Sequence, residues 1–185
     1  VNKNHDLCST PEWAAQLQAT VLPYLVRDVD LGATMLEVGP GPGAATQWLH
    51  PKVGRMVLVE TDTEAAERLM VSYAGTNVTV TIGDATALES EDGSFDSVGS
   101  FTMLHHVPTV SLQDRLLAEV LRVLRPGGVF IGSDSRPSDN LHNFHEADTY
   151  NPVEPGTLMT RLQTVGFERI TVSTDGPLKW IAYRP

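Results

Sequence analysis

Short apolar, β-branched runs alternate along most of the chain with longer stretches whose apolar residues return every three or four positions. The first pattern reads as strands buried on both faces, the second as helices laid over them. Thr34-Met35-Leu36-Glu37-Val38 predicts a first strand, Arg55 to Glu60 a second and Val78 to Ile82 a third. Phe95 to Met103 predicts a fourth and Val129 to Ser133 a fifth, entered through the turn Pro126-Gly127-Gly128. Helical spacing covers Ala44 to His50, Thr63 to Tyr73, and Ser111 to Leu124, the last opened by the cap pair Ser111 and Asp114. Ser9-Thr10-Pro11-Glu12 opens an earlier helix through Trp13, Leu17, Val21 and Leu25, and Pro23 predicts a kink in it. After a polar loop come a helix from Gly156 to Val165, a strand from Glu168 to Thr174 and a strand from Leu178 to Tyr183. Only Asp175-Gly176-Pro177 separates these two strands, so they pair as antiparallel neighbours.

The layout is one doubly wound α/β domain over residues 1–185, with ligands expected at the carboxyl ends of the strands. Residues 1–30 form an N-terminal helical cap, 34–133 a binding core, 135–155 a loop placed to meet substrate, and 156–185 a helix with the antiparallel strand pair. At 185 residues, 41% of them hydrophobic, the chain has enough core to fold without a disulfide or metal. Lone Cys8 excludes a disulfide framework and suits a reducing, cytoplasmic compartment. The opening VNKNHDLCST has no apolar core of a signal peptide, and no apolar run approaches the roughly 18 residues of a membrane span. A net charge of −10 repels phosphate backbones, so neither a membrane nor nucleic acid is an expected partner. The basic cluster Arg115, Arg122 and Arg125 reads as the wet edge of an amphipathic helix.

Gly39-Pro40-Gly41-Pro42-Gly43-Ala44 joins the first strand to a helix. Glycine there lets a ligand approach the backbone, and Gly39, Gly41 and Ala44 satisfy the dinucleotide pattern G-x-G-x-x-G/A. A nicotinamide or flavin enzyme is therefore one reading. Against it, Pro40 and Pro42 offer no N–H to a diphosphate, and Glu37 brings negative charge beside the loop. Both features suit a cationic ligand without phosphate, such as S-adenosyl-L-methionine. Glu60 ends the second strand, where an acid accepts from ribose hydroxyls. Asp84, in Gly83-Asp84-Ala85, stands where an adenine amino group would donate, with the Ala85 N–H as a donor; its alternative is an Asx turn.

Together these segments resemble a class I S-adenosylmethionine-dependent methyltransferase of the type grouped with ubiquinone/menaquinone-pathway enzymes. Glu37-Val38-Gly39-Pro40-Gly41-Pro42-Gly43 is similar to that family's first motif, Glu60 with Thr61 to its ribose side, and Gly83-Asp84-Ala85 to its adenine side. Phe95-Asp96-Ser97-Val98 with Leu104-His105-His106 resembles its fourth-strand signature, and Leu121 to Gly128 its turn into strand five. The resemblance runs from about Thr34 to Ser133. It implies a Rossmann-like, seven-stranded, mostly parallel sheet with an antiparallel last strand, and it places Ser100 and Phe101 at the methionine end of the cofactor. Relatives often carry a longer insertion after strand five than Arg136 to Pro155.

Methyl transfer is an in-line displacement in which alignment supplies most of the catalysis. A base is needed only where the acceptor must lose a proton. Candidates are His105, His106 and His145, with Asp134, His142 and Tyr150 as substrate contacts and Asp148 nearby. His142, His145 and Asp148 are spaced too loosely for a metal site to be expected. Trp13, Trp48 and Trp180 read as core, Trp13 being the one placed to lie over the cofactor. The expected activity is transfer of a methyl group to a small-molecule acceptor. The alternatives are a cofactor-binding domain without catalysis and an NAD(P)-dependent oxidoreductase.

Overall fold

The computed structural model describes residues 10–137 and 149–185. Its seven strands are β1 (Thr34–Val38), β2 (Arg55–Glu60), β3 (Val78–Ile82), β4 (Phe95–Phe101), β5 (Leu124–Asp134), β6 (Glu168–Ser173) and β7 (Leu178–Tyr183). They form one sheet in the order β3-β2-β1-β4-β5-β7-β6. All neighbours from β3 to β5 run parallel, and β7 lies antiparallel to both β5 and β6. The expected doubly wound sheet and its antiparallel last strand are present. The strand order reverses between β1 and β4, and a crevice opens at their carboxyl ends.

Two apolar layers cover the sheet. One face carries α3 (Ala44–Leu49), α4 (Thr63–Ser72) and the N-terminal helices α1 (Pro11–Gln16) and α2 (Leu22–Val26), packed on Met35, Met56, Leu58 and Ile131. The other carries α5 (Val110–Val123) and α6 (Pro155–Val165), packed on Leu36, Val38, Val98, Phe130 and Trp180. Leu116, Leu117, Val120 and Val123 recur at helical spacing on α5 and are fully buried, which is why this segment is helical and why it lies on the sheet. Trp180 is core as expected, while Trp13 and Trp48 are half-buried against the other layer.

The local departures from expectation have physical causes. Pro23 does not produce a simple kink. A π turn over Leu17–Val21 precedes it, and the Leu22 N–H reaches back to the Leu17 carbonyl. Widening the turn in this way accommodates a ring that cannot donate and crowds the carbonyl four residues back. Helix α5 begins at Val110 rather than Ser111, because the Thr109 hydroxyl caps the Leu112 N–H at 3.2 Å. Strand β4 stops at Phe101, two residues early, since Thr102 turns to φ +55°. Strand β5 begins at Leu124, ahead of the expected turn, and Arg125-Pro126-Gly127-Gly128 bulge out of register opposite Asp96 with Gly127 at φ +81°, so the turn sits inside the strand.

The basic cluster also needs correction. Arg122 is no solvated edge: its guanidinium bonds Glu119, Asp92 and the carbonyls of Leu88 and Ser90. These contacts staple residues 88–92, in the connection from β3 to β4, where among the described residues no helix lies. Arg125 stands on β5 and pairs with Asp96 at 2.5 Å. Asp96 in turn accepts from the Thr34 N–H and hydroxyl and the Ala33 N–H, tying the start of β1 to β4.

Candidate active site

The loop after β1 is built on three left-handed glycines, Gly39 at φ +61°, Gly41 at +53° and Gly43 at +83°. All three glycine N–H groups are committed: Gly39 to the Val59 carbonyl at 2.9 Å, Gly43 to the Pro40 carbonyl at 2.9 Å, and Gly41 to Glu60 Oε2 at 3.1 Å. With prolines between them, the loop keeps no glycine N–H for a diphosphate. The space where a Gly41 side chain would project is open, with no atom within 4 Å. A ligand has room there, directly beside the Glu60 carboxylate.

Glu60 is buried at the end of β2 and is held by four donors in all. Besides Gly41, the Thr61 N–H (2.8 Å), the Asp62 N–H (3.0 Å) and the Thr61 hydroxyl (3.5 Å) point at Oε1. These bonds fix the carboxylate facing the loop. Glu37 is 1% exposed and accepts a 2.6 Å bond from the Thr46 hydroxyl on α3. Burial pushes its pKa up to about 7, the Thr46 bond pulls it down, and the charge of Glu60 pushes it up further. Tyr73, whose hydroxyl donates to the Gly43 carbonyl, is raised to about 12 by burial and by Glu37. Two acids thus flank a loop whose glycine N–H groups are all taken.

Of the remaining expected cofactor contacts, Asp84 is exposed and forms the Asx turn weighed against a ligand role, accepting from the Thr86 N–H at 2.8 Å. Ala85 beside it is buried in the core. Ser100 is fully buried, and among the described residues its hydroxyl has no hydrogen-bond partner. Phe101 packs its ring against Gly99 on the opposite face. Met103 lies against Gly39, so closely that a side chain at 39 would overlap it.

Beyond β4, the turn Leu104–His106 brings His105 onto Asp134 at the end of β5. His105 Nδ1 lies 2.5 Å from Asp134 Oδ1, and the His105 N–H bonds Oδ2 at 3.1 Å. The Ser135 N–H adds a 2.7 Å bond to Oδ1. His106 packs on the His105 ring with centroids 4.1 Å apart, and Tyr150 meets its edge at 5.8 Å. The expected loop therefore touches the β4 turn where it is described. The Asn151 N–H bonds the His105 carbonyl, Asn151 Nδ2 bonds Val107, and buried Gln113 ties Leu104 to Asn151. His142, His145 and Asp148 lie outside the described residues.

Sequence reasoning missed Thr46, Gln113, Asn151 and the strained Thr102. Gln113 left a signal, a polar residue on the inward stripe of α5. Thr102 left none, since a β-branched residue is among the least suited to positive φ.

Residues 36–132 match the family model described as a methyltransferase domain. The chain belongs to that family. Its cofactor is S-adenosylmethionine. This methyltransferase domain is 33% identical over 106 residues to Methyltransferase GfsG of Streptomyces halstedii, covering 55% of this chain and 37% of that one. It is 32% identical over 111 residues to the 2-methyl-6-phytyl-1,4-hydroquinone methyltransferase of Synechocystis, covering 59% and 34%. The chain spans only about a third of the length of these curated relatives. In fold it superposes on the partner of the Haloferax volcanii Trm112 methyltransferase activator in their complex, with a TM-score of 0.76 at 18% identity over 100% of this chain and 99% of that one. Haemonchus contortus phosphoethanolamine N-methyltransferase 2, solved with S-adenosyl-L-methionine, gives 0.73 at 16% identity, over 100% of this chain and 60% of that one. The residues present fit this cofactor. Two buried acids suit its cationic and hydroxylated groups, the space over Gly41 is open, and the loop's glycine N–H groups are already taken. Among the described residues, no helix is long and apolar enough to cross a membrane.

Proposed function

We propose that this domain transfers a methyl group from S-adenosylmethionine to a small-molecule acceptor in the cytoplasm. The observation that carries the reading is the pair of buried carboxylates, Glu37 and Glu60, on either side of a glycine loop whose N–H groups are all committed. Glu37 holds the cofactor's ammonium. Glu60 and Thr61 hold the ribose, Asp84 and Ala85 border the adenine, and the chain at Ser100 and Phe101 borders the methionine end. When bound, the cofactor supplies a methyl group made electrophilic by its sulfonium. The protein's part is to align acceptor, methyl carbon and sulfur and to keep water away. The acceptor sits over the carboxyl ends of β4 and β5, among His105, His106, Asp134 and Tyr150. Relatives named as hydroquinone and fatty-acid methyltransferases support a small organic acceptor, and the acidic chain disfavours nucleic acid.

Calorimetric titration with S-adenosylhomocysteine and with NADH tests the cofactor. Binding of the first without the second is expected, and the reverse would restore the oxidoreductase reading. Methyl incorporation separates catalysis from a binding-only domain. Glu60→Ala is expected to weaken S-adenosylhomocysteine binding about 30-fold, or about 2 kcal/mol, the range for hydrogen bonds to a charged group. An unchanged dissociation constant in a folded variant would remove Glu60 from the site.

A further inference from the structure

We infer that His105 and Asp134 work as a buried base and its positioning carboxylate, and that the acceptor is methylated on a hydroxyl oxygen. The inference rests on the methyltransferase reading above. The side chains stand 29 residues apart in sequence and meet at the carboxyl ends of β4 and β5, on the crevice side of the sheet. Both are almost wholly buried, with 3% and 0% of their side chains exposed.

The contact fixes the imidazole in one state. Asp134 Oδ1 accepts at 2.5 Å from His105 Nδ1, and its second oxygen holds the backbone N–H of the same residue. A carboxylate cannot donate, so the proton of a neutral ring sits on Nδ1 and the lone pair sits on Nε2. This is the arrangement in which a histidine takes a proton while a carboxylate stabilises the imidazolium that forms. A residue with a purely packing role would not need a desolvated carboxylate, which costs several kcal/mol unless it is well bonded. Among the described residues, the groups facing the ring are Asp134 from β5, His106 from its own turn, and Tyr150 from the segment leading to α6. The neighbouring Thr102, held at φ +55° with its N–H on the Ser133 carbonyl, sets the turn that carries His105 toward β5.

The acceptor class follows from the step. A hydroxyl oxygen bonds the methyl carbon, the carbon–sulfur bond breaks with its pair left on sulfur, and the hydroxyl proton passes to His105 Nε2. Neutral thioether, methyl ether and imidazolium result, and the proton later leaves to water. A carboxylate acceptor, already ionised, would gain nothing from the base.

The test uses wild type, His105→Asn and Asp134→Asn with tritiated S-adenosylmethionine and four probes: 2-naphthol, 1-dodecanol, dodecylamine and dodecanoate. Calorimetry with S-adenosylhomocysteine runs alongside, and nitrogen NMR of labelled protein reads the His105 tautomer. Wild type is expected to methylate a hydroxyl probe, with a rising limb of kcat against pH. His105→Asn should lower kcat at least 100-fold with KM within about threefold, and abolish that limb. Asp134→Asn should lower kcat and release the Nδ1–H tautomer. Both variants should bind S-adenosylhomocysteine within about twofold of wild type. Loss of that binding in wild type would sink the methyltransferase reading itself. With binding intact, three results overturn the inference: methylation of the amine or carboxylate alone, methylation of no hydroxyl probe, or a pH limb that persists in His105→Asn with an unchanged tautomer in Asp134→Asn.

Discussion

Gly132→Ala is expected to cost the fold about 3 to 4 kcal/mol. Gly132 lies on β5 directly across from Trp180 on β7, and the indole covers the glycine face. A methyl group there would stand 2.2 Å from one ring carbon, 2.4 Å from another and 2.6 Å from the Ser100 carbonyl oxygen. None of these is the loose end of a flexible side chain. Trp180 is 1% exposed and packed against Phe130, so the ring has nowhere to go without opening the layer beneath α5 and α6. Overpacking of this kind usually costs about 1–3 kcal/mol, and strand backbone on the far side adds to it. Urea unfolding should show a lower midpoint with an unchanged slope. Gly41→Ala is the contrast. It meets no atom within 4 Å, so its cost is only the left-handed backbone, about 1 kcal/mol, and its main effect should fall on cofactor affinity. If Gly132→Ala costs under about 1 kcal/mol, the low end of that range, the packing described for β5 and β7 is wrong.

Stability and cofactor affinity are expected to move in opposite directions between pH 5 and 8, both through Glu37. Unfolded, its carboxyl titrates near 4.5; folded, it is pushed up to about 7, first by burial, against the Thr46 bond, and with help from Glu60. The native state therefore holds more protons than the unfolded state between these values. The contribution to stability is fully present below about 4.5 and is lost as pH rises through 7, an effect of about 3 kcal/mol. A cationic ligand prefers the ionised carboxylate, so S-adenosylhomocysteine should bind more tightly as pH rises through 7. Other groups titrate in the same range, so the comparison is with Glu37→Gln, in which both slopes should flatten. Equal slopes in wild type and variant would show that Glu37 keeps an ordinary pKa.

Features set by neighbours along the chain are legible in the sequence itself. The strands, the glycine loop with its prolines, and Glu60 at a strand end depend on apolar runs, turn residues and spacing, all of which are local. Features set by topology are not. His105 and Asp134 are each legible as candidates, but their contact exists only because β4 and β5 are neighbours in register, with Phe101 beside Ser133. Arg122 reads as a surface residue because its partners, Leu88, Ser90 and Asp92, lie some thirty positions upstream. Thr102 and the π turn before Pro23 are backbone compromises imposed by packing, against the residues' own preferences.

The antiparallel placement of β7 between β5 and β6 has a bearing on how the chain is made. Strands β1 to β5 emerge from the ribosome in an order that lets each find a parallel partner soon after synthesis. The outer edge of β5, carrying Phe130 and Ile131, pairs only with residues 178–183. At about 5–20 residues per second, the 43 intervening residues leave that edge open for about 2 to 9 s. An apolar strand with unpaired backbone for so long invites pairing with other nascent chains. Yield in the cell should therefore depend on translation speed through residues 135–178 and on chaperone supply, while the finished domain, once β7 is seated, presents no such edge at β5.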